Sequence, residues 1–299
     1  MSTFSTRLSE AIQRSGTGLC VGLDPRWELL PRKLRESVAI FPPDQKAVMA
    51  VWEFCRRVLR LVRPIVGVIK AQAAFFELLG PRGMEVLAAV LKEAKQLGFI
   101  TILDAKRGDI ASTATAYAQA AFSGNTIDRA TYPVWDVDAL TVHPYLGADA
   151  IEPFVETAKT HDRGVFILVR TSNPGAGLFQ DLDCGGKPLY EHVAAAVSRW
   201  NAETVDDTGL GAVGAVVGAT QPRELRKLRE LLPQVWFLVP GYGTQGGTAA
   251  DVRAAFRPDG LGAIVNSSRG VTFSFHPDDP EWESKIVVAA KLAAEELRI

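Results

Sequence analysis

Phe99-Ile-Thr-Ile-Leu103 is a short apolar, β-branched run that passes directly into Asp104-Ala-Lys106-Arg-Gly-Asp109-Ile110. A run of this length and character suits a parallel strand buried on both faces. The charges that follow then sit at its C-terminal end. Runs of the same kind recur along the chain: Gly18–Leu23, Ile65–Ile69, Ala139–Val142, Val165–Val169, Val213–Val217, Val235–Val239 and Leu261–Val265. Between them lie longer stretches with helical spacing. Val48, Val51, Trp52, Cys55, Leu59 and Val62 share one stripe, as do Val86, Leu87, Val90, Leu91 and Ala94, with Gly98 as a stop signal. Asp109–Phe122 reads as a third helix, Pro222 opens another through Leu232, and Trp282–Leu297 closes the series. Strand and helix alternating eight times predict an α/β protein, a single (β/α)8 TIM barrel filling residues 1–299 as one domain. An open doubly wound sheet is the competing architecture.

Composition agrees with a large buried core. The chain has 299 residues, 47% of them hydrophobic and 22% charged, with a net charge of −1 and no block of like charge. Nothing in that balance points to nucleic acid or to a membrane surface, so an anionic ligand requires local positive charge. Cys20, Cys55 and Cys184 form no CxxC pair, which argues against both a zinc site and a disulfide framework. Cys20 and Cys55 read as buried free thiols. The N-terminal residues lack the apolar core of a signal peptide, and no run is long enough to span a bilayer, so a cytoplasmic location is expected. Asp24–Pro43 and Thr171–Tyr190 are long connections, a length usual for lids or insertions.

In a barrel, the C-terminal strand ends form the mouth where ligands bind. The residues that follow the runs are Asp24-Pro25, Lys70-Ala-Gln72, Asp104-Ala-Lys106, His143-Pro144 and Arg170-Thr-Ser172-Asn-Pro-Gly175. Then come Gly218-Ala-Thr220, Pro240-Gly-Tyr-Gly-Thr-Gln245-Gly-Gly247 and Asn266-Ser-Ser-Arg269-Gly270. Polar groups therefore collect on one rim. Asp104 and Lys106 are two apart and share a face if the strand continues. A buried Lys70 nearby needs such carboxylates to offset its desolvation. A structural ion-pair network is the alternative for this cluster. Asp109, beyond Gly108 at a helix start, reads equally as an N-cap. The Gly241–Gly247 loop and Arg269 together suit a phosphate, which recurs after strands seven and eight of this fold. Asp24 reads also as a turn residue, Ser172 as a turn-capping hydroxyl, and His143 as a partly buried histidine without a partner. Tyr242 and Trp135 read as packing or loop residues.

With these residues in place, the chain resembles the orotidine 5'-phosphate decarboxylase family, in its longer bacterial branch. The signature is Asp104-Ala-Lys106-Arg107-Gly108-Asp109-Ile110, and the resemblance extends from Asp24 to Arg269. It implies catalytic roles for Lys70, Asp104, Lys106 and Asp109, with Lys106 as proton donor. Asp24 would bind ribose hydroxyls and Ser172 the pyrimidine. Pro240, Gln245 and Arg269 would form the pyrimidine–phosphate side. Asp109, Ile110 and Thr113 would enter the site of a neighbouring subunit, so a homodimer with shared sites is implied. The substrate would be orotidine 5'-phosphate, and the reaction needs neither cofactor nor metal. The alternatives are a Mg2+-dependent sugar-phosphate decarboxylase of the same suprafamily, a Schiff-base aldolase, and a non-catalytic nucleotide-binding barrel. Lys70 opposes the first, because it stands where an acidic residue is expected. Neighbouring carboxylates oppose the second, because they raise a lysine pKa that the chemistry needs lowered.

Overall fold

The computed structural model describes residues 2–243 and 246–299. Among these residues, eight parallel strands close into a barrel. They are β1 (Leu19–Leu23), β2 (Val68–Gln72), β3 (Ile100–Arg107), β4 (Ala139–Val142), β5 (Gly164–Arg170), β6 (Val213–Val217), β7 (Phe237–Val239) and β8 (Ala263–Ser267). Each pairs with its neighbours in sequence, and β8 closes on β1 with Leu19 opposite Val265. Helices cover the outside, including Pro43–Val62, Gly80–Gln96, Ala148–Thr160, Leu189–Ala202, Pro222–Leu231 and Trp282–Glu296. The open-sheet alternative is excluded by the closure.

Period-two alternation along the strands divides the core in two. Val21, Ile69, Ala71, Leu103, Leu140, Val165 and Ile167 pack outward against the helices. Cys20, Val68, Ile102, Ala139, Phe166, Trp236, Leu238 and Ile264 fill the lumen. Small residues make room for the large ones. A Cβ on Gly214 would stand 2.5 Å from the Phe166 ring, and one on Gly164 would stand 2.4 Å from Phe4.

Phe4 belongs to a helix, Phe4–Ser15, that the strand–helix alternation does not announce. Thr3 caps it by accepting the Thr6 amide at 3.1 Å. Its buried face, with Phe4, Leu8 and Ile12, joins the lumen cluster. The helix therefore plugs the N-terminal end of the barrel and leaves the other end open for a site. A small antiparallel hairpin, Asn125–Ile127 with Ala130–Tyr132, was also not foreseen and lies exposed.

Four of the eight forecast strands end where the structure ends them, at Leu23, Val142, Val217 and Val239, and the other four stop too early. The run Ile65–Ile69 becomes a strand only at Val68, because the amides of Ile65 and Val66 still bond back to Val62. It then continues through Lys70 and Gln72. β3 likewise runs on through Asp104 and Lys106, and β8 through Asn266. Apolarity marks where the lumen is dry, and the strands continue beyond that point into a polar layer. Lys70 is therefore inside a strand rather than at its end. The helix after β3 spans Ala111–Ala121, shorter than the forecast Asp109–Phe122.

Candidate active site

Lys70, Asp104 and Thr141 share the inward face near the mouth. Register fixes them: Lys70 lies opposite Ile102 on β3, and Gln72 lies opposite Asp104. Asp104 is the centre. Its Oδ2 accepts from Lys70 Nζ at 2.7 Å and from Gln72 Nε2 at 3.0 Å. Its Oδ1 accepts from Lys106 Nζ at 2.6 Å and from the Thr141 hydroxyl at 2.9 Å. Four donors saturate the lone pairs of a carboxylate. Lys70 is 4% exposed and Asp104 6%.

Electrostatics follow from this arrangement. Burial alone would raise the Asp104 carboxyl, but Lys70 and Lys106 outweigh it and hold the group below its ordinary value of 3.8. Burial alone would lower the Lys70 ammonium, but Asp104 and then Asp24 outweigh it and hold it above its ordinary 10.5. Both groups are ionised at neutral pH. Cys20, one layer deeper, behaves as the buried thiol expected: burial pushes it up to about 12, against a lowering by Lys70. Cys55 is also buried, and Cys184 is exposed.

Lys106 differs from Lys70. Its side chain is 46% exposed and reaches Asp104 from the rim. The β3–β4 ladder slips between Leu103 and Arg107, and Lys106 sits in that bulge with φ 47°. A left-handed backbone is costly for a lysine and is typical of functional sites. Gly108 follows because there is no space for a side chain: a Cβ there would stand 2.2 Å from the His143 ring. His143 thus packs over the bulge and does not line the cleft.

The cleft holds about 490 Å³, within the range of small-molecule sites. Its walls are chemically divided. Asp24, Lys70, Gln72, Asp104, Lys106 and Thr141 form a polar, largely charged side, while Leu168, Val216 and Leu238 form an apolar one. Asp24 Oδ1 is buried with no hydrogen-bond partner among the described residues, so it is an acceptor awaiting a donor. Ser172 lines the cleft beside Gly218, where a Cβ would meet the Ser172 backbone at 2.8 Å. Pro240 and Arg269 also line it. In the glycine-rich loop, the amides of Gly243, Gly246 and Gly247 bond to carbonyls of the loop itself. Arg269 therefore supplies the positive charge at this end of the cleft. Gln245 lies outside the described residues. Tyr242 both packs on the core and lines the cleft, and its hydroxyl donates to Glu296.

Asp109, Ile110 and Thr113 are not brought together with the other site residues. They lie beyond the bulge, outside the cleft lining, and Ile110 is 54% exposed. Asp109 is not the N-cap: that position is Ile110, whose amide donates to the Asp109 carboxylate at 2.8 Å. The cleft also holds residues that the sequence reading did not assign to the site, among them Gln72, Thr141 and Gln180. Gln72 carried a signal, being two residues from Lys70 on the same face. Thr141 carried only a weak one, a single hydroxyl in an apolar run.

Among the described residues, no cluster of three or more His, Cys, Asp or Glu side chains is placed to hold a metal ion. No helix of the described chain is long and apolar enough to cross a membrane.

A barrel closed at one end, with a Lys–Asp–Lys array and an arginine around a half-apolar cleft at the other, defines a site for an anionic small molecule with an apolar part. Comparison with known proteins narrows that class. Residues 17–280 match the orotidine 5'-phosphate decarboxylase / HUMPS family, and the chain belongs to it. An orotidine 5'-phosphate decarboxylase of Rhodopirellula baltica is 48% identical over the whole of both chains. One from Haloarcula marismortui is 41% identical, covering 91% of this chain and 87% of its own. The solved structure of Leishmania donovani OMP decarboxylase superimposes with a TM-score of 0.76 at 35% identity, covering 99% of this chain and 97% of that one.

Proposed function

We propose that this enzyme of the orotidine 5'-phosphate decarboxylase family converts orotidine 5'-phosphate to uridine 5'-phosphate in pyrimidine biosynthesis, without cofactor or metal. The observation that carries the reading is the four-fold bonded Asp104 between two lysines, set across the cleft from an apolar wall. Loss of CO2 from C6 leaves an electron pair in the ring plane, where the π system does not delocalise it well. A preorganised positive charge is then the main stabilising device available. Lys106, reaching in from the rim, is the donor: as the C6–carboxyl bond breaks, CO2 leaves and a proton passes from Lys106 Nζ to C6. Lys106 then regains its proton from solvent.

The remaining residues divide the substrate between them. Asp24 accepts from the ribose hydroxyls, and its orphaned Oδ1 suits that role. Lys70 contacts ribose and holds Asp104 anionic. Ser172 and Pro240 meet the pyrimidine, and Gln245 and Arg269 take the phosphate. Phosphate binding, remote from C6, contributes by driving closure over the base. Asp109, Ile110 and Thr113 complete the site of a second copy in a homodimer. Their position outside this chain's cleft supports that assignment. So do the exposed apolar side chains of the segment that follows, Ile110, Tyr117, Ile127 and Tyr132. A cytoplasmic setting fits the three free cysteines.

The test is turnover. Metal-free protein in chelator, given orotidine 5'-phosphate, should show the fall in ultraviolet absorbance that accompanies formation of uridine 5'-phosphate. No turnover, or a strict requirement for added Mg2+, would overturn the reading.

A further inference from the structure

Lys106 must present its ammonium group at one place, yet among the described residues its half-exposed side chain bonds to Asp104 alone. The aim of so flexible a side chain depends on the backbone beneath it. That backbone is in an unfavourable left-handed turn, inside a bulge where the β3–β4 ladder has slipped. Leu103 still pairs with Leu140, and Arg107 already pairs with Val142, so β3 spends four residues where β4 spends two. The amides of Ala105 and Lys106 consequently lose their ladder carbonyls.

Both amides are taken up by one atom. Thr141 Oγ1 accepts from Ala105 N at 3.1 Å and from Lys106 N at 3.0 Å. The same hydroxyl donates to Asp104 Oδ1 at 2.9 Å. A threonine hydroxyl has one donor and two acceptor sites, and here all three are used. It is 1% exposed, so water does not compete. Below the bulge the ladder ends at Leu140, and above it the His143 amide bonds to Arg107 O at 3.0 Å. The Thr141 side chain thus replaces the backbone partners that the bulge removes.

We propose that Thr141 is a positioning residue for proton transfer: its hydroxyl pins the left-handed turn at Lys106 and ties that turn to Asp104, so that the Lys106 ammonium and the Asp104 carboxylate are held in one fixed relation. The proposal rests on the decarboxylase reading given above. It assigns Thr141 no contact with substrate.

Thr141→Val keeps the shape and removes the hydroxyl, and Thr141→Ser keeps the hydroxyl. For orotidine 5'-phosphate, Thr141→Val should lower kcat by about 100-fold, the scale of a small misplacement of a reacting group, with KM changed by less than about threefold because the binding groups are untouched. Thr141→Ser should return kcat to within about fivefold of wild type. A second readout isolates the proton transfer. Exchange of the C6 hydrogen of uridine 5'-phosphate in D2O, followed by proton NMR, should slow in Thr141→Val by the same factor as kcat.

A third readout does not depend on activity. In the wild type, the Ala105 and Lys106 amides should be protected from hydrogen exchange, and in Thr141→Val both should exchange faster than their neighbours. Wild-type kcat in Thr141→Val, a loss as large in Thr141→Ser, or unprotected Lys106 and Ala105 amides in the wild type would each overturn the proposal. If the wild type fails to decarboxylate, the functional reading falls, and amide protection still decides whether Thr141 holds the turn. If Thr141→Val does not fold, wild-type protection and the Thr141→Ser kinetics decide it.

Discussion

Asp104 and Lys106 are bonded to each other, yet their removal should have opposite consequences. Asp104→Ala leaves the ammonium of Lys70 buried without its nearest carboxylate. Breaking a buried pair in this way costs about 3–5 kcal/mol, to be measured by urea unfolding at pH 7. Lys106→Ala removes a charge that is half in water. Its stability should stay within about 1 kcal/mol of wild type, while turnover disappears. Comparable destabilisation by both substitutions would show that the array is chiefly structural, which is the alternative the sequence left open. The pH dependence has a definite sign. Asp104 is held below 3.8, so its contribution is complete above pH 3.8 and is lost as pH falls through the lower folded value. The stability gap between wild type and Asp104→Asn should therefore be constant from roughly pH 5 to neutrality and shrink in strong acid. A gap that grows on acidification would contradict the assignment. At this scale the sequence was legible where a charge interrupts an apolar run, as at Lys70, Asp104 and Lys106. It was silent where a neutral side chain takes its role from a strand neighbour 37 residues away, as Thr141 does with Asp104.

Among the elements, the strands were legible from their apolar cores, and the helices from their stripes. Pro222–Leu231 begins at the proline that marks it. The ends of β2, β3 and β8 were not legible, because the lumen turns polar at Lys70, Gln72, Asp104 and Asn266 before these strands stop. The N-terminal helix was missed for a different reason. Its apolar residues Phe4, Leu8 and Ile12 are spaced to fill the floor of a barrel, a place that exists only once eight strands have closed. Leu8 is fully buried there in the cluster that also holds Phe166 and Trp236. Leu8→Ala should cost about 2–5 kcal/mol, read as a drop in the urea midpoint. KM for orotidine 5'-phosphate should hold in the folded protein, because the floor lies at the opposite end of the strands from the cleft. A change in KM without loss of stability would mean that the plug communicates with the mouth.

The whole molecule presents a division that one chain does not resolve alone. The signature Asp104–Ile110 is continuous in sequence, but the bulge at Lys106 splits it, with Asp104 and Lys106 in the cleft and Asp109 and Ile110 outside it. The family resemblance implied a split of this kind, but the register slip behind it leaves no mark in residue type. The proposed two-fold dimer would reconcile the two halves, because an isologous interface would return each chain's Asp109 to its partner's site. Lys106→Ala and Asp109→Ala homodimers should each be nearly inactive. After subunit exchange in equal amounts, half of the dimers are hybrids. In each hybrid one site lacks both residues, and the other has Lys106 from one chain and Asp109 from its partner. Specific activity should then recover to about a quarter of wild type. Sedimentation of differently tagged chains verifies the exchange. Recovery to that level means that Asp109 acts across the interface. Verified hybrids with no recovery mean that Asp109 serves its own chain's site, reached by a movement of the segment after the bulge.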